Sequence, residues 1–280
     1  MKLPLQIIPE KKVLQDLRNF RLQGIHTVCQ EARCPNLGSC FSEKKLTFLI
    51  LGDTCTRKCS FCAVKKTEQR KLPLDQTEPY AIAQAVKSIG LKFVVLTSVT
   101  RDDLVDGGAR IFAETIELIH ALKEGVKTEV LIPDFRGRRK SLEIVLGAQP
   151  EVVAHNLETV PRLYGDLRPL ADYSVSLALL GNIKEISLLT KTKSSLMLGL
   201  GEKEAEVISV MKDLRKNHCD FLTLGQYLAP SAAHYPVKEF IALEEFDYYR
   251  SIALSLGFGA VLSGPLVRSS YKAEELYGSI

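Results

Sequence analysis

Six of the seven cysteines fall between Cys29 and Cys62, in two groups of three: Cys29-x4-Cys34-x5-Cys40 and Cys55-x3-Cys59-x2-Cys62. Three thiolates in a group suit neither disulfide pairing nor a four-coordinate structural zinc site, which takes cysteines in twos and fours. They do suit an iron–sulfur cluster that leaves one iron free for a ligand other than cysteine. An iron open to substrate can do chemistry, so the spacing points to a catalyst built on iron and sulfur. Cys219 stands alone in Asn217-His218-Cys219-Asp220 and reads as a small buried residue. His26 adjoins the first group, where it could support the thiolates, but packing is the simpler reading. His120, His218 and His234 have no sequence neighbours that suggest a metal site.

Such groups need a scaffold to hold them. The chain has 280 residues, 46% hydrophobic and 25% charged, the balance of a globular protein with a large core. Continuous apolar runs bounded by turn residues predict strands at 47–51, 93–97, 128–132, 151–154, 195–199 and 221–224, with a weaker one at 173–176. Helical patterns predict helices at 78–89, 108–123, 139–147, 203–216 and 244–256. This alternation predicts parallel βαβ units and a partial (β/α)6-type TIM barrel in the α/β class. An open doubly wound sheet lacks support, because no Gly-x-Gly-x-x-Gly follows the first strand. Residues 1–44 read as an N-terminal extension carrying the first cysteine group, and 45–280 as the barrel, the two forming one structural unit.

Placement on that scaffold gives the second cysteine group its meaning. Cys55 comes four residues after the first predicted strand, on the face where barrel enzymes carry their active sites. Other polar clusters follow strands in the same way: Ser98-Val99-Thr100-Arg101-Asp102-Asp103, Asp134-Phe135-Arg136-Gly137-Arg138, His155-Asn156-Leu157-Glu158-Thr159 and Gly199-Leu200-Gly201-Glu202.

No apolar run reaches the roughly 18–20 residues of a membrane span, and the opening Met1–Pro9 stretch lacks a secretory pattern. A reducing cytoplasm is therefore expected, where clustered thiols bind metal more often than they form disulfides. Net charge is only +4, short of a nucleic-acid-binding footprint. Basic residues concentrate at Lys65-Lys66-x3-Arg70-Lys71 and Arg136-x-Arg138-Arg139-Lys140, either a solvated face or a docking surface for an acidic partner.

Cys55-Thr56-Arg57-Lys58-Cys59-Ser60-Phe61-Cys62 resembles the signature of the radical S-adenosylmethionine enzymes, including the aromatic Phe61 before the last cysteine. Together with the Cys29, Cys34 and Cys40 group, it resembles the lipoyl synthase family. That resemblance covers nearly the whole chain. It runs through Glu31-Ala32-Arg33-Cys34-Pro35-Asn36, Leu96-Thr97-Ser98-Val99-x-Arg101-Asp102-Asp103-Leu104, Leu131-Ile132-Pro133-Asp134-Phe135-Arg136-Gly137 and Gly225-Gln226-Tyr227-Leu228, and ends on Arg268-Ser269-Ser270-Tyr271-x-Ala273.

The resemblance implies two [4Fe–4S] clusters, one on Cys55, Cys59 and Cys62 and an auxiliary one on Cys29, Cys34 and Cys40. S-adenosylmethionine would bind the open iron of the first, with Phe61 against its adenine. Thr97, Ser98, Asn156 and Glu158 would make polar contacts to S-adenosylmethionine or substrate, against a plain alternative of loop hydrogen bonding. Gly199 and Gly201 could let backbone approach the adenosine.

Read as bare sequence, Ser269-Ser270 would be a turn or helix cap. The resemblance makes Ser270 the fourth ligand of the auxiliary cluster, Ser269 the alternative, and Arg268 a group that positions this loop. It also implies a C-terminal segment closing over the active site. The implied reaction is a radical sulfurtransferase one. Two S-adenosylmethionine molecules each yield a radical that abstracts hydrogen, first at C6 and then at C8 of a protein-bound octanoyl-lysine, and the auxiliary cluster is consumed as sulfur donor. Implied partners are octanoylated lipoyl carrier domains, such as 2-oxoacid dehydrogenase E2 subunits and the glycine cleavage H protein. An electron donor such as flavodoxin or ferredoxin is also implied; nucleic acid and membrane are not. Two rivals remain: another radical enzyme with an auxiliary cluster, and a non-catalytic iron or zinc module.

Overall fold

The computed structural model describes residues 11–69, 71–122 and 124–279. Arg70 and the opening residues 1–10 lie outside them. The described residues divide into two compact units: 11–57 with 63–151, and 58–62 with 152–279.

In the first unit, strands β1 (Thr47–Ile50), β2 (Phe93–Ser98) and β3 (Lys127–Leu131) pair in parallel, Thr47 against Val95 and Phe93 against Lys127. Their crossovers are helices α1 (Glu78–Ile89) and α2 (Ala109–His120), with α3 (Arg139–Gly147) following β3. The ends of α1 follow from local chemistry. Pro79 sits in the first turn, where a missing N–H costs nothing, and Gly90 closes the helix at φ 74°. Phe48, Ile50, Val94, Leu96 and Val130 on the strands, and Ile82, Val86, Phe112, Ile116, Leu142 and Val145 on the helices, are all buried with almost no exposure. Each such side chain contributes about 1.5–3 kcal/mol of hydrophobic stabilisation. The N-terminal extension brings helices Lys11–Leu22, Val28–Glu31 and Leu37–Ser42, and the short strand His26–Thr27 runs antiparallel to β1.

The second unit repeats the pattern. Strands β4 (Val152–Ala154), β5 (Lys191–Leu198), β6 (Phe221–Gln226) and β7 (Ala260–Gly264) are parallel neighbours in that order. They alternate with α4 (Tyr173–Ile186), α5 (Glu204–Lys216) and α6 (Leu243–Ser255). The strand expected at 173–176 is instead the first turn of α4. Asp172 caps it, its carboxylate accepting from Ser174 N at 2.7 Å and Val175 N at 3.2 Å. The last strand, β7, was not anticipated. Among the described residues no helix is long and apolar enough to cross a membrane.

Candidate functional site

Each parallel strand ends in a turn that delivers a polar side chain. After β1 the chain reverses through Leu51 (φ 69°) and Gly52 (φ 84°). The buried carboxylate of Glu78, at the start of α1, accepts from Leu51 N at 2.7 Å and Gly52 N at 3.2 Å, fixing this left-handed pair. Gly108 leaves room for it, since a Cβ there would lie 2.2 Å from a Leu51 methyl. Arg101, 1% exposed, bonds the carbonyls of Leu51, Leu72 and Pro73 and forks onto Asp103 at 2.8 Å twice.

This turn leads to Cys55, whose Sγ accepts from Thr100 N at 3.3 Å and Arg57 N at 3.4 Å. Arg57, buried in the cluster signature itself, forks onto both Asp102 and Asp134. Cys59 and Cys62 belong to the second unit. There Cys62 N bonds Cys59 O at 3.3 Å, Ser60 N reaches Leu167 O at 3.0 Å, and Tyr235 N reaches Ser60 O at 3.0 Å. Burial, and then the nearby Cys62, push the Tyr227 phenol up to about 12. Phe61 is half-buried between these cysteines.

The first cysteine group lies within the first unit. Thr27 caps the short helix carrying Cys29, Cys34 N closes onto Cys29 O at 3.0 Å across Arg33 at φ 53°, and Cys40 sits in the next helix. The thiols sense one another. Burial pushes Cys29 up to about 12 with Cys34 the next cause, and burial followed by Cys34 pushes Cys40 up to about 11. His26 Nδ1 is 3.7 Å from Glu31 Oε1, an ion-pair distance beyond hydrogen-bond reach. All seven cysteines are free, and Cys219 is fully buried as expected.

Among the remaining predicted residues, Thr97 is buried and donates to Leu131 O at 3.1 Å. Ser98 Oγ is buried without a hydrogen-bond partner. In the second unit Asn156 donates to Glu158 Oε1 at 3.0 Å while its own Oδ1 is buried and unsatisfied. Glu158 adopts φ 67°, and burial holds its carboxyl above the usual range against the pull of Arg168 and Asn156. Arg168 and Tyr164 are functional candidates that sequence inspection missed. Arg168 Nη1 bonds Asn156 O, Leu157 O and Tyr164 OH at 3.0–3.1 Å, while its Nε is buried and unsatisfied. Little in the local sequence marks Arg168, because two of its three partners are backbone carbonyls.

Gly199 serves packing. A Cβ there would lie 2.3 Å from Glu239 O and 2.4 Å from Gln226 Nε2, and Glu202 accepts from Gly199 N at 2.6 Å and Leu200 N at 2.9 Å.

The C-terminal segment runs over the end of β6, where a Cβ on Gly225 would lie 2.0 Å from Val267 O. Arg268 Nη1 turns back onto Val267 O at 2.6 Å and Pro265 O at 3.3 Å. Ser269 Oγ is buried without a hydrogen-bond partner, and Ser270 is half-buried.

Buried polar atoms left without partners at strand ends are what a polar ligand would satisfy. Among the described residues no three His, Cys, Asp or Glu side chains crowd closely enough for a single ion. A four-iron cluster spreads its thiolates around a cubane, so the cysteine triads fit that group by donor chemistry.

Residues 49–214 match the family model for the radical SAM superfamily. The lipoyl synthase of Caldicellulosiruptor bescii is 52% identical over 272 residues, covering 97% of this chain and 93% of that protein. That of Caldicellulosiruptor saccharolyticus is 54% identical over 264 residues, covering 94% and 90%. The chain belongs to the lipoyl synthase family. A lipoyl synthase family member is a radical SAM enzyme, and the superfamily brings with it a [4Fe–4S] cluster and S-adenosylmethionine. Crystalline methylornithine synthase shares the fold, with a TM-score of 0.56, 16% identity, and coverage of 81% of this chain and 75% of that one. The partial (β/α) barrel read from the sequence is thereby borne out.

Proposed function

We propose that this enzyme inserts two sulfur atoms, at C6 and C8, into an octanoyl group held in amide linkage on a lysine of a lipoyl carrier domain. Cys55, Cys59 and Cys62 would hold one [4Fe–4S] cluster; Cys29, Cys34, Cys40 and Ser270 would hold the auxiliary one, with Ser269 the alternative oxygen. When bound, these groups supply a 5′-deoxyadenosyl radical from S-adenosylmethionine and sulfur from the auxiliary cluster.

The chain's own residues bind and orient. Phe61 stacks on adenine. Ser98, Asn156 and Glu158 offer hydrogen bonds to S-adenosylmethionine or substrate, and Thr97 keeps β2 and β3 in register through Leu131. Arg268 ties the serine loop to its own turn. Carrier domains of the 2-oxoacid dehydrogenase E2 subunits and the glycine cleavage H protein are the proposed partners. A flavodoxin or ferredoxin would supply electrons, in a reducing cytoplasm.

The observation that carries this reading is the first thiol group. Cys34 N bonds Cys29 O at 3.0 Å, and after burial Cys34 is the next cause raising both Cys29 and Cys40, within a chain half identical to lipoyl synthases. Anaerobic reconstitution should give about eight irons per chain. Single turnover on an octanoyl-lysine peptide, with labelled sulfide in the protein, should carry label into product. Zinc alone, or unlabelled product, overturns the proposal.

A further inference from the structure

We infer that Arg57 positions Cys55 and sets the reduction potential of the radical-generating cluster, acting through two backbone N–H groups. The inference rests on the reading that the Cys55 signature holds that cluster. Arg57 is 5% exposed. Its Nε and Nη2 donate to Asp102 at 2.9 and 3.1 Å, and its Nη1 and Nη2 donate to Asp134 at 2.5 and 2.6 Å. Burying one cation and two carboxylates is expensive, and an apolar side chain of similar size would often stabilise a fold as well. Such a triad calls for a purpose beyond packing.

That purpose lies in what the fork holds. Asp102 N donates to Thr56 Oγ1 at 3.1 Å, and Thr56 N and Oγ1 both donate to Thr100 O, at 3.0 and 2.9 Å. Thr100 N in turn donates to Cys55 Sγ at 3.3 Å, and Arg57 N does so at 3.4 Å. The guanidinium thus closes a ring of hydrogen bonds that aims two N–H groups at one ligand sulfur. Donors to a cluster sulfur favour the reduced, more negative state and raise its potential. Arg136 Nε, 3.2 Å from Asp102 Oδ1, brings the four charges to balance, so geometry rather than net charge is what the network supplies. Lysine would keep the charge and lose the fork.

The test is a potentiometric titration of the reconstituted full-length enzyme, following the electron paramagnetic resonance signal that responds to S-adenosylmethionine. Arg57→Lys should keep about eight irons. At fixed potential its reduced-to-oxidised ratio should fall about tenfold, a midpoint about 59 mV more negative for one electron. Thr56→Val removes the hydroxyl that joins Thr100 to Asp102 and should give a smaller shift in the same direction. An unshifted midpoint in Arg57→Lys with normal iron overturns the inference. Should Arg57→Lys fail to load iron, Thr56→Val decides: a negative shift supports the role and a wild-type midpoint overturns it. Wild-type protein without any signal responsive to S-adenosylmethionine would instead overturn the cluster reading beneath it.

Discussion

Glu158 follows β4, and Arg168, at the end of the short helix Tyr164–Leu167, lies close enough to act on its carboxyl. Burial raises the Glu158 carboxyl, and Arg168 is the largest influence pulling it back down. A carboxyl raised in the fold is most favourable to stability below its unfolded value of about 4.3, and that advantage is lost as pH rises through the folded value. Arg168→Met removes the counterweight, so Glu158 titrates still higher. If the ionised carboxylate accepts hydrogen bonds from S-adenosylmethionine, affinity in the variant should fall about tenfold at neutral pH, about 1.4 kcal/mol. It should recover as pH rises from neutral to alkaline values, and the wild type should reach full affinity at a lower pH than the variant. Equilibrium dialysis across that range checks this; a pH-independent loss would mean that only the carbonyls of Asn156 and Leu157 had lost their donor. Cys219 gives a contrasting residue-level outcome. Burial pushes its thiol up to about 12, and its Sγ donates to Phe221 O at 3.3 Å. Native protein treated with iodoacetamide near pH 8 should therefore leave Cys219 unmodified by mass, and urea should expose it.

Among the elements, α1 was legible from sequence to the residue because its boundaries are chemical: proline in the first turn and glycine just past the end. The α4 segment was misread because Tyr173-Ser174-Val175-Ser176 looks like a strand by residue type. The deciding signal was Asp172 before it, a capping residue ahead of a longer periodic run. Strand β7 escaped because only Val261 and Leu262 of Ala260–Gly264 are large apolar residues and the segment ends in serine and glycine. The cysteines of the candidate site could be read by spacing, but Arg168 and the Gly225 contact could not. Both depend on backbone atoms brought from elsewhere in the chain, which residue identities do not encode. Gly225 also yields an element-scale prediction. Alanine there would drive its methyl into Val267 O, a backbone atom that cannot swing aside. Gly225→Ala should displace the segment carrying Arg268 and Ser270 and cost about 1–3 kcal/mol by overpacking. Iron content should drop from about eight toward about four per chain, with the signal responsive to S-adenosylmethionine retained. Iron analysis with parallel spectroscopy checks this, and full iron content in the variant would separate the serine loop from the auxiliary cluster.

At the scale of the whole molecule, a net charge of +4 is too small to bind polyanions broadly, so attraction to a partner must come from local fields. The Arg136–Lys140 stretch is one such place. Arg136, Arg139 and Lys140 are exposed and Arg138 is half-buried, although Arg136 shares its charge with Asp102 and Arg139 with Glu143 at 3.3 Å. Val105, 92% exposed, stands in the loop that Asp102 ties to Arg136, giving the basic surface an apolar point of contact. A folded acidic carrier would gain encounter rate from this surface, whereas a short octanoyl-lysine peptide would gain little. Charge reversal at Arg138 and Arg139 together should cut kcat/KM for a carrier domain about tenfold at low ionic strength. The deficit should shrink as salt rises and the screening length falls from about 30 Å at 0.01 M to about 8 Å at 0.15 M. Peptide turnover by the same variant should match wild type. Stopped-flow rates at a series of salt concentrations measure the effect, and carrier kinetics with wild-type salt dependence would move the docking surface elsewhere on the molecule.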